Sequence, residues 1–302
     1  MPVDIAVVGS CNLDLVVNVD NIPQVGQTVL GGDLKRIPGG KGANQAVAAS
    51  RLGKSVAMVG RVGEDDNGQF LQTNLEDNGV NTEYLLKTPD IPTGVALISV
   101  QNDGDNAIVV SPGANSKLLP EDIAAAPLIA EARIVLLQAE IPIETVLATA
   151  RIAEGTVIWN PAPAPNESVP LELLDLVDVL IPNQTELELL GGNRKVDTLE
   201  SISELAKTFP CSSTIVTLGE RGAVVVASNE GVHIPAPTIS PRDTTGAGDS
   251  FCAAIATSLV EGKDLVEATQ WAVRVGAATT LVAGAQPSLP TSEEVLQRLK
   301  DW

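Results

Sequence analysis

A chain of 302 residues, 44% of them hydrophobic, can bury the core of one large α/β domain or of two ordinary ones. Aromatics are only 2%, so that core must come from Val, Leu, Ile and Ala, residues that suit parallel strands covered on both faces. A formal net charge of -19 at pH 7 repels phosphate backbones and anionic lipid, which argues against nucleic acid and membrane as partners.

In chain order, apolar runs of strand length alternate with helical patterns, as βαβ units require. Strands are expected at 5–9, 55–60, 134–137, 156–159, 179–181, 214–218 and 223–227. Helices are expected at 44–52, 68–78, 144–153, 186–190, 201–209, 248–261 and 265–284. The Pro-rich stretch 161–170 reads as a loop after a buried strand. Two stretches break the rhythm. Segments 15–19 and 28–34 have turn residues between them, and 93–110 reads as a hairpin around an Asn-Asp-Gly-Asp turn. The expected architecture is one α/β domain over 1–302, Rossmann-like, with a small β-sheet lid from 13–37 and 91–111. The lid strands carry more apolar residues than a small flap can bury, which predicts a homodimer formed through the lids.

Cys11, Cys211 and Cys252 lie far apart without a CxxC pair, which fits a reducing compartment and argues against a zinc site. MPVDIAVVGS has no basic segment ahead of an apolar stretch, and no window reaches membrane-spanning length. A cytoplasmic protein is expected.

The strongest local pattern is DTTGAGDSF at 243–251, a glycine-rich turn that opens a helix of small residues. The first-turn N–H groups of such a helix point at an anion, which suits the phosphates of ATP. Asp249 stands where it would accept a proton from an attacking hydroxyl. The same residues also read as an ordinary helix start. GGKGAN at 39–44 lacks the third dinucleotide-site glycine, and LGKS at 52–55 closes a helix instead of opening one. A dinucleotide fold and a P-loop are both disfavoured. The N–H groups of 39–44, with the Asn44 amide, would pair several vicinal hydroxyls. Asn12 and Asp14, spaced i, i+2 after the first strand, would bridge two more, or serve a turn. Glu140 follows the strand at 134–137, at the end where open α/β sheets bind ligands. Asn183 and Glu186 would orient Mg²⁺ through water, and Asn183 reads equally as a helix cap. His233 has no nucleophile elbow to serve and reads as structural, and Trp159, Trp271 and Trp302 read as packing.

Together these segments resemble the ribokinase family of carbohydrate kinases over nearly the whole chain. GGKGANQAVAASRLG at 39–53 and DTTGAGDSF at 243–251 resemble its two signatures. QAEIP at 138–142, NPAPAP at 160–165, NQTE at 183–186, TLGERG at 217–222 and GAQPS at 284–288 follow in the family's order.

The resemblance implies a three-layer α/β/α fold and ATP-dependent phosphorylation of a small sugar, D-ribose at its primary hydroxyl first among them. Fructose, ketodeoxygluconate and adenosine are the alternatives, and a non-catalytic sensor is a remoter one. It implies Asp249 as catalytic base and Gly246, Ala247 and Gly248 as anion hole. Asn12, Asp14, Gly40, Lys41, Gly42, Ala43, Asn44, Glu140 and Asp249 would bind the sugar. Asn183, Thr217, Leu218, Gly219, Glu220, Arg221, Gly222, Gly248 and Asp249 would bind ATP, with Glu186 linked to Mg²⁺. Asp243, Thr245, Thr279, Val282, Gly284 and Ser288 would hold K⁺. Val273 falls near the implied adenine position, where relatives often carry Asn or His.

Overall fold

The structure, a computed structural model, describes residues 3–101, 105–165, 168–228 and 230–300. The expected hairpin turn at Asn102, Asp103 and Gly104, part of the Pro-rich stretch (Asn166 and Glu167) and Trp302 lie outside the described residues.

The strands are β1 Ile5–Val8, β2 Asn12–Val19, β3 Lys35–Gly39, β4 Val56–Gly63, β5 Asn81–Thr88, β6 Gly94–Gln101, β7 Asn106–Ser111, β8 Ile134–Leu137, β9 Thr156–Trp159, β10 Val179–Leu180, β11 Ser213–Thr217, β12 Ala223–Ala227 and β13 Glu230–Ile234. The helices are α1 Lys41–Arg51, α2 Asp66–Asp77, α3 Pro120–Ala124, α4 Leu128–Glu131, α5 Ile143–Ile152, α6 Leu171–Leu176, α7 Gln184–Leu190, α8 Leu199–Ala206, α9 Ala247–Val260, α10 Leu265–Thr280 and α11 Ser292–Arg298.

The large sheet runs β13-β12-β11-β10-β9-β8-β1-β4-β5, parallel from β11 to β5, with β12 and β13 antiparallel at one edge. Successive residues of a strand point to opposite faces, so continuous apolar runs feed two cores. Ile5, Val7, Met58, Leu136 and Ile158 pack with the alanines of α1, α9 and α10. Ala6, Val8, Leu137 and Trp159 pack on the other face with Ile129, Val146 and Leu173. Helices on both faces of a mostly parallel sheet give the expected three layers. α9 lies between α1 and α10, and small residues such as Ala253, Ala254 and Ala256 admit this close approach.

A separate sheet runs β3-β2-β6-β7. Its third segment differs from expectation. Residues 28–34 make only a bridge, Val19 with Gly31, while the strand itself is Lys35–Gly39. Leu30 and Leu34 are exposed, so no buried face fixes 28–34 as a strand. α10 stops at Thr280 instead of 284, and Gly284 turns the chain with a φ of 94°. β5 and β13 were not expected. Both are edge strands, β5 with exposed, half-buried and buried residues interspersed and β13 mostly exposed, so neither shows a long apolar run. Among the described residues no helix is long and apolar enough to cross a membrane.

Candidate active site

The parallel strands end at a cleft of about 370 Å³. Of the expected site residues, Asn12, Asp14, Gly40, Lys41, Asn44, Glu140, Asn183, Glu186, Thr217, Thr245, Gly246, Gly248 and Asp249 line it. They are separate in sequence and converge because most follow a strand's carboxyl end or open a helix beside it, while Asn12 and Asp14 come from the start of β2. The small sheet covers the cleft with Ala96 and Ile98 of β6 and Asn106, Ile108 and Val110 of β7.

Gly40, with a φ of 88°, precedes α1 without a side-chain cap of its own. The N–H groups of the first turn are satisfied from elsewhere. Lys41 N–H donates to Glu140 Oε2 at 3.0 Å, Gly42 N–H to Ser10 Oγ at 3.3 Å, and Ala43 N–H to the Ser10 carbonyl at 2.9 Å. Ser10 Oγ in turn donates to Glu140 Oε2. The expected use of these N–H groups for sugar hydroxyls therefore gives way to packing. Gly42 and Ala43 lie behind the cleft wall, and a Cβ on Gly42 would crowd the Gly9–Ser10 backbone. Lys41, Asn44, Glu140, Asn12 and Asp14 are left to present side chains.

Asn12 opens β2 and does not sit in a turn. Its Oδ1 accepts from Asn115 Nδ2 at 2.7 Å, and Asn115 Oδ1 accepts from the Cys11 N–H at 2.9 Å, so the Asn12 amide is fixed from behind. Asp14 packs over Gly39, where a Cβ would overlap its carboxylate. Burial, reinforced by the charges of Glu140 and Asp249 and partly offset by Lys41, pushes Asp14 up to about 7. Burial alone would push Lys41 down, but Asp249, Glu140 and Glu186 around it hold it above the usual lysine value.

Asp249 occupies the first turn of α9 and is buried. The helix starts at Gly246, in the left-handed region with a φ of 80°, and no side chain caps it. Gly248 lines the cleft, and a Cβ there would meet no atom within 4 Å. The glycine leaves a space open at the helix N-terminus where the backbone favours an anion. Ala247 does not line that space. Burial pushes Asp249 up, against the opposing pull of Lys41 and of the side-chain amides of Asn44 and Gln45. Those amides donate to Oδ2 at 2.9 Å and to Oδ1 at 3.1 Å.

Asn183 caps α7. Its side chain accepts from the Glu186 N–H, and Glu186 accepts from the Asn183 N–H, both at 2.8 Å. The cap fixes Glu186 at the cleft, where burial, joined by Asp249, outweighs the Asn183 N–H and Lys41 and holds its carboxyl above the usual range. Asn183 bridges Thr217 of the neighbouring strand. From Thr217 the chain runs outward. Gly219, Glu220 and Arg221 form an exposed 3₁₀ turn, and Leu218 and Gly222 are buried behind it, so none of these five lines the cleft. His233 Nε2 bonds the Arg221 carbonyl at 2.7 Å, a structural role. Val273 packs in the main core with Ala272 and Val275.

Asp243 joins two loops by accepting from the Thr245 N–H at 2.9 Å and the Gly284 N–H at 2.7 Å. Burial raises its pKa, but these donors win and hold it below the usual carboxylate range. Thr279, Val282 and Ser288 lie along the same junction, at and beyond the C-terminal end of α10. Thr279 is buried and donates to Ser250 Oγ at 2.8 Å, tying α10 to α9.

Sequence reading missed Gln45, Asn115, Gln138 and Asn160, all buried polar residues around the cleft. The usable signal for Gln45 was its setting in ANQAVAA, a helix too apolar to be exposed on any face. The β6 and β7 residues over the cleft carry no polar mark at all apart from Asn106.

The doubly covered sheet, the polar cleft beneath a second sheet and the uncapped helix start beside a buried carboxylate fit a small-molecule kinase. The chain belongs to the pfkB family of carbohydrate kinases, whose sequence profile matches residues 3–292. It is 41% identical over 300 residues to ribokinase of Bacillus subtilis (strain 168), covering 98% of this chain and 99% of that one. It is 38% identical over 298 residues to deoxyribokinase of Salmonella typhi, covering 96% and 97%. The structure of Arabidopsis thaliana ribokinase complexed with ribose and ATP superposes with a TM-score of 0.90, at 35% identity and 100% coverage of both chains.

Proposed function

We propose that this sugar kinase transfers the γ-phosphoryl group of ATP to the primary 5-hydroxyl of D-ribose, with Asp249 as general base. The observation that carries the reading is Asp249 itself. It is a buried carboxylate held by two amide donors at the cleft, in the same helical turn as the open space at Gly248. The hydroxyl gives its proton to Asp249 as its oxygen bonds the γ-phosphorus, and the bond to the β–γ bridging oxygen breaks, releasing ADP. First-turn N–H groups of α9 stabilise the charge that develops on the phosphoryl oxygens. Asn12, Asp14, Lys41, Asn44 and Glu140 pair the ring hydroxyls.

Magnesium, bound with the nucleotide, supplies charge neutralisation on the phosphates, and Glu186 with Asn183 would reach it through water. No cluster of three or more acidic, His or Cys ligands occurs among the described residues, which suits an ion held mostly by phosphates and water. The residues joined by Asp243 fit a large monovalent ion such as K⁺, since the C-terminal end of α10 favours a cation. Equal rates in potassium and in tetramethylammonium would exclude that role. The protein acts in the cytoplasm on this reading.

The deciding measurement is ADP release with ribose, 2-deoxyribose, fructose and adenosine. Ribose is expected to give the highest kcat/KM, because a site that pairs a hydroxyl discriminates against the analogue lacking it. A higher value for 2-deoxyribose would favour the second reading, to which the 38% identity with a deoxyribokinase points.

A further inference from the structure

Behind the base lies a set of buried amides that the proposed reaction leaves without a role. Gln45 in α1 and Gln138 just after β8 are fully buried, and Asn160 after β9 is nearly so. Gln45 Nε2 donates to Asp249 Oδ1 at 3.1 Å and to Asn160 Oδ1 at 3.3 Å. Gln45 Oε1 accepts from Gln138 Nε2 at 2.7 Å. Asn160 Nδ2 is committed to the backbone carbonyl of Ile181 at 2.8 Å. That commitment leaves the Asn160 oxygen to accept, so Gln45 must turn its NH₂ group toward Asn160 and Asp249. Gln138, donating to the other end of the Gln45 amide, enforces the same orientation.

The arrangement is costly for folding. Gln138 Oε1 is buried without a partner, and a Cβ at Gly9 would displace the Gln138 amide. Apolar residues of the same size would fill this space without an unpaired polar atom. Its physical benefit is delivered at Asp249. An amide N–H can only donate, so it favours the ionised carboxylate and leaves the remaining lone pairs of Oδ1 toward the cleft.

We propose that Gln45, held by Gln138 and Asn160, is a positioning residue that orients Asp249 and keeps it ionised for proton abstraction. The inference rests on the reading of Asp249 as the base. The other groups acting on Asp249 are Lys41, which favours its charge, Asp14, Glu140 and Glu186, which oppose it, and the neutral Cys252 thiol one turn along α9. With that surplus of negative charge around a buried acid, the amide donors act with Lys41 to keep the base available at neutral pH.

The test is the pH dependence of kcat in the full chain, at saturating ribose and ATP, for wild type, Gln45→Met, Gln138→Met and Asp249→Asn. Loss of the Gln45 donor should move the acid limb to higher pH by about one unit. On the acid limb it should lower kcat by up to about tenfold while ribose KM changes far less. Gln138→Met removes the unpaired oxygen and should shift the limb in the same direction by a smaller amount. Asp249→Asn should be nearly inactive. An unmoved acid limb in Gln45→Met, with Asp249→Asn inactive, overturns the positioning role alone. Full turnover by Asp249→Asn overturns the base and this inference with it. Should Gln45→Met not fold, Gln138→Met decides, and an unmoved limb there overturns the proposal.

Discussion

The carboxylate of Glu140 accepts the first N–H of α1, at Lys41, over 3.0 Å, although the two residues are 99 positions apart. Glu140 is thus both a wall of the cleft and the anion that ends α1. Glu140→Gln keeps the size and removes the charge. It should lower unfolding free energy by about 1 kcal/mol, the usual value of a charge at a helix terminus. Ribose Kd should rise by about 10- to 100-fold if Glu140 also receives a sugar hydroxyl. Thermal melts and calorimetric ribose titrations read the two effects separately. A change in stability with unaltered ribose affinity would leave Glu140 a purely structural cap.

Asp14 should make stability fall as pH rises. Its folded-state value of about 7 lies above the unfolded carboxylate value, so between the two the folded state binds the extra proton. From pH 5.5 to 8 the folded protein should lose roughly 2 kcal/mol through this group, and it should regain it on acidification. Asp249 and Glu186, also pushed up by burial, act in the same direction. Asp14→Asn should flatten the dependence and be more stable than wild type at pH 8. Chemical denaturation at the two pH values measures this, and a wild type more stable at pH 8 than at 5.5 contradicts it.

Gly248→Ala should separate folding from activity. A Cβ there meets no atom within 4 Å, and alanine favours a helix over glycine by about 0.5–1 kcal/mol. The variant should be as stable as wild type or more so, yet its methyl group projects where the phosphoryl group would lie. A kcat loss of about 100-fold or more is expected, on the scale of losing oxyanion stabilisation. Normal turnover in a stable variant would move the phosphate site elsewhere.

Much of this was written plainly in the sequence. The strands at 134–137, 156–159 and 223–227 coincide with β8, β9 and β12, because residues buried on both faces must be apolar throughout. The cleft residues that open helices, Lys41 and Asp249, were marked by glycines beside them. What escaped was whatever depended on distant partners. The apolar setting of Gln45 marks it as buried, but its partners Gln138, Asn160 and Asp249 come from distant parts of the chain. β5 and β13 have the weak pattern of strands paired on one edge only. The N–H groups of 41–43 pointed to a ligand, and only the position of Ser10 reveals that the protein itself occupies them.

The small sheet should bring two copies together. On its outer face Leu97 and Val109 are exposed, as are Leu30 and Leu34 in the segment leading into β3. Pairing two such sheets would remove that apolar area from water. Light scattering at micromolar concentration is expected to give the dimer mass, and Val109→Lys to shift it toward the monomer. A wild-type monomer mass would rule this assembly out.

Asp249 and the amides that hold it stand 204 and 205 positions apart along the chain. A ribosome must therefore make every residue up to Asp249 before this carboxylate can acquire its donors. Joining ends so distant carries a loop-closure cost that only the completed core repays. No nascent fragment that stops short of residue 249 can hold Asn44, Gln45 and Asp249 together. The contact between Asp249 and its two donors thus records that two distant parts of the chain have met.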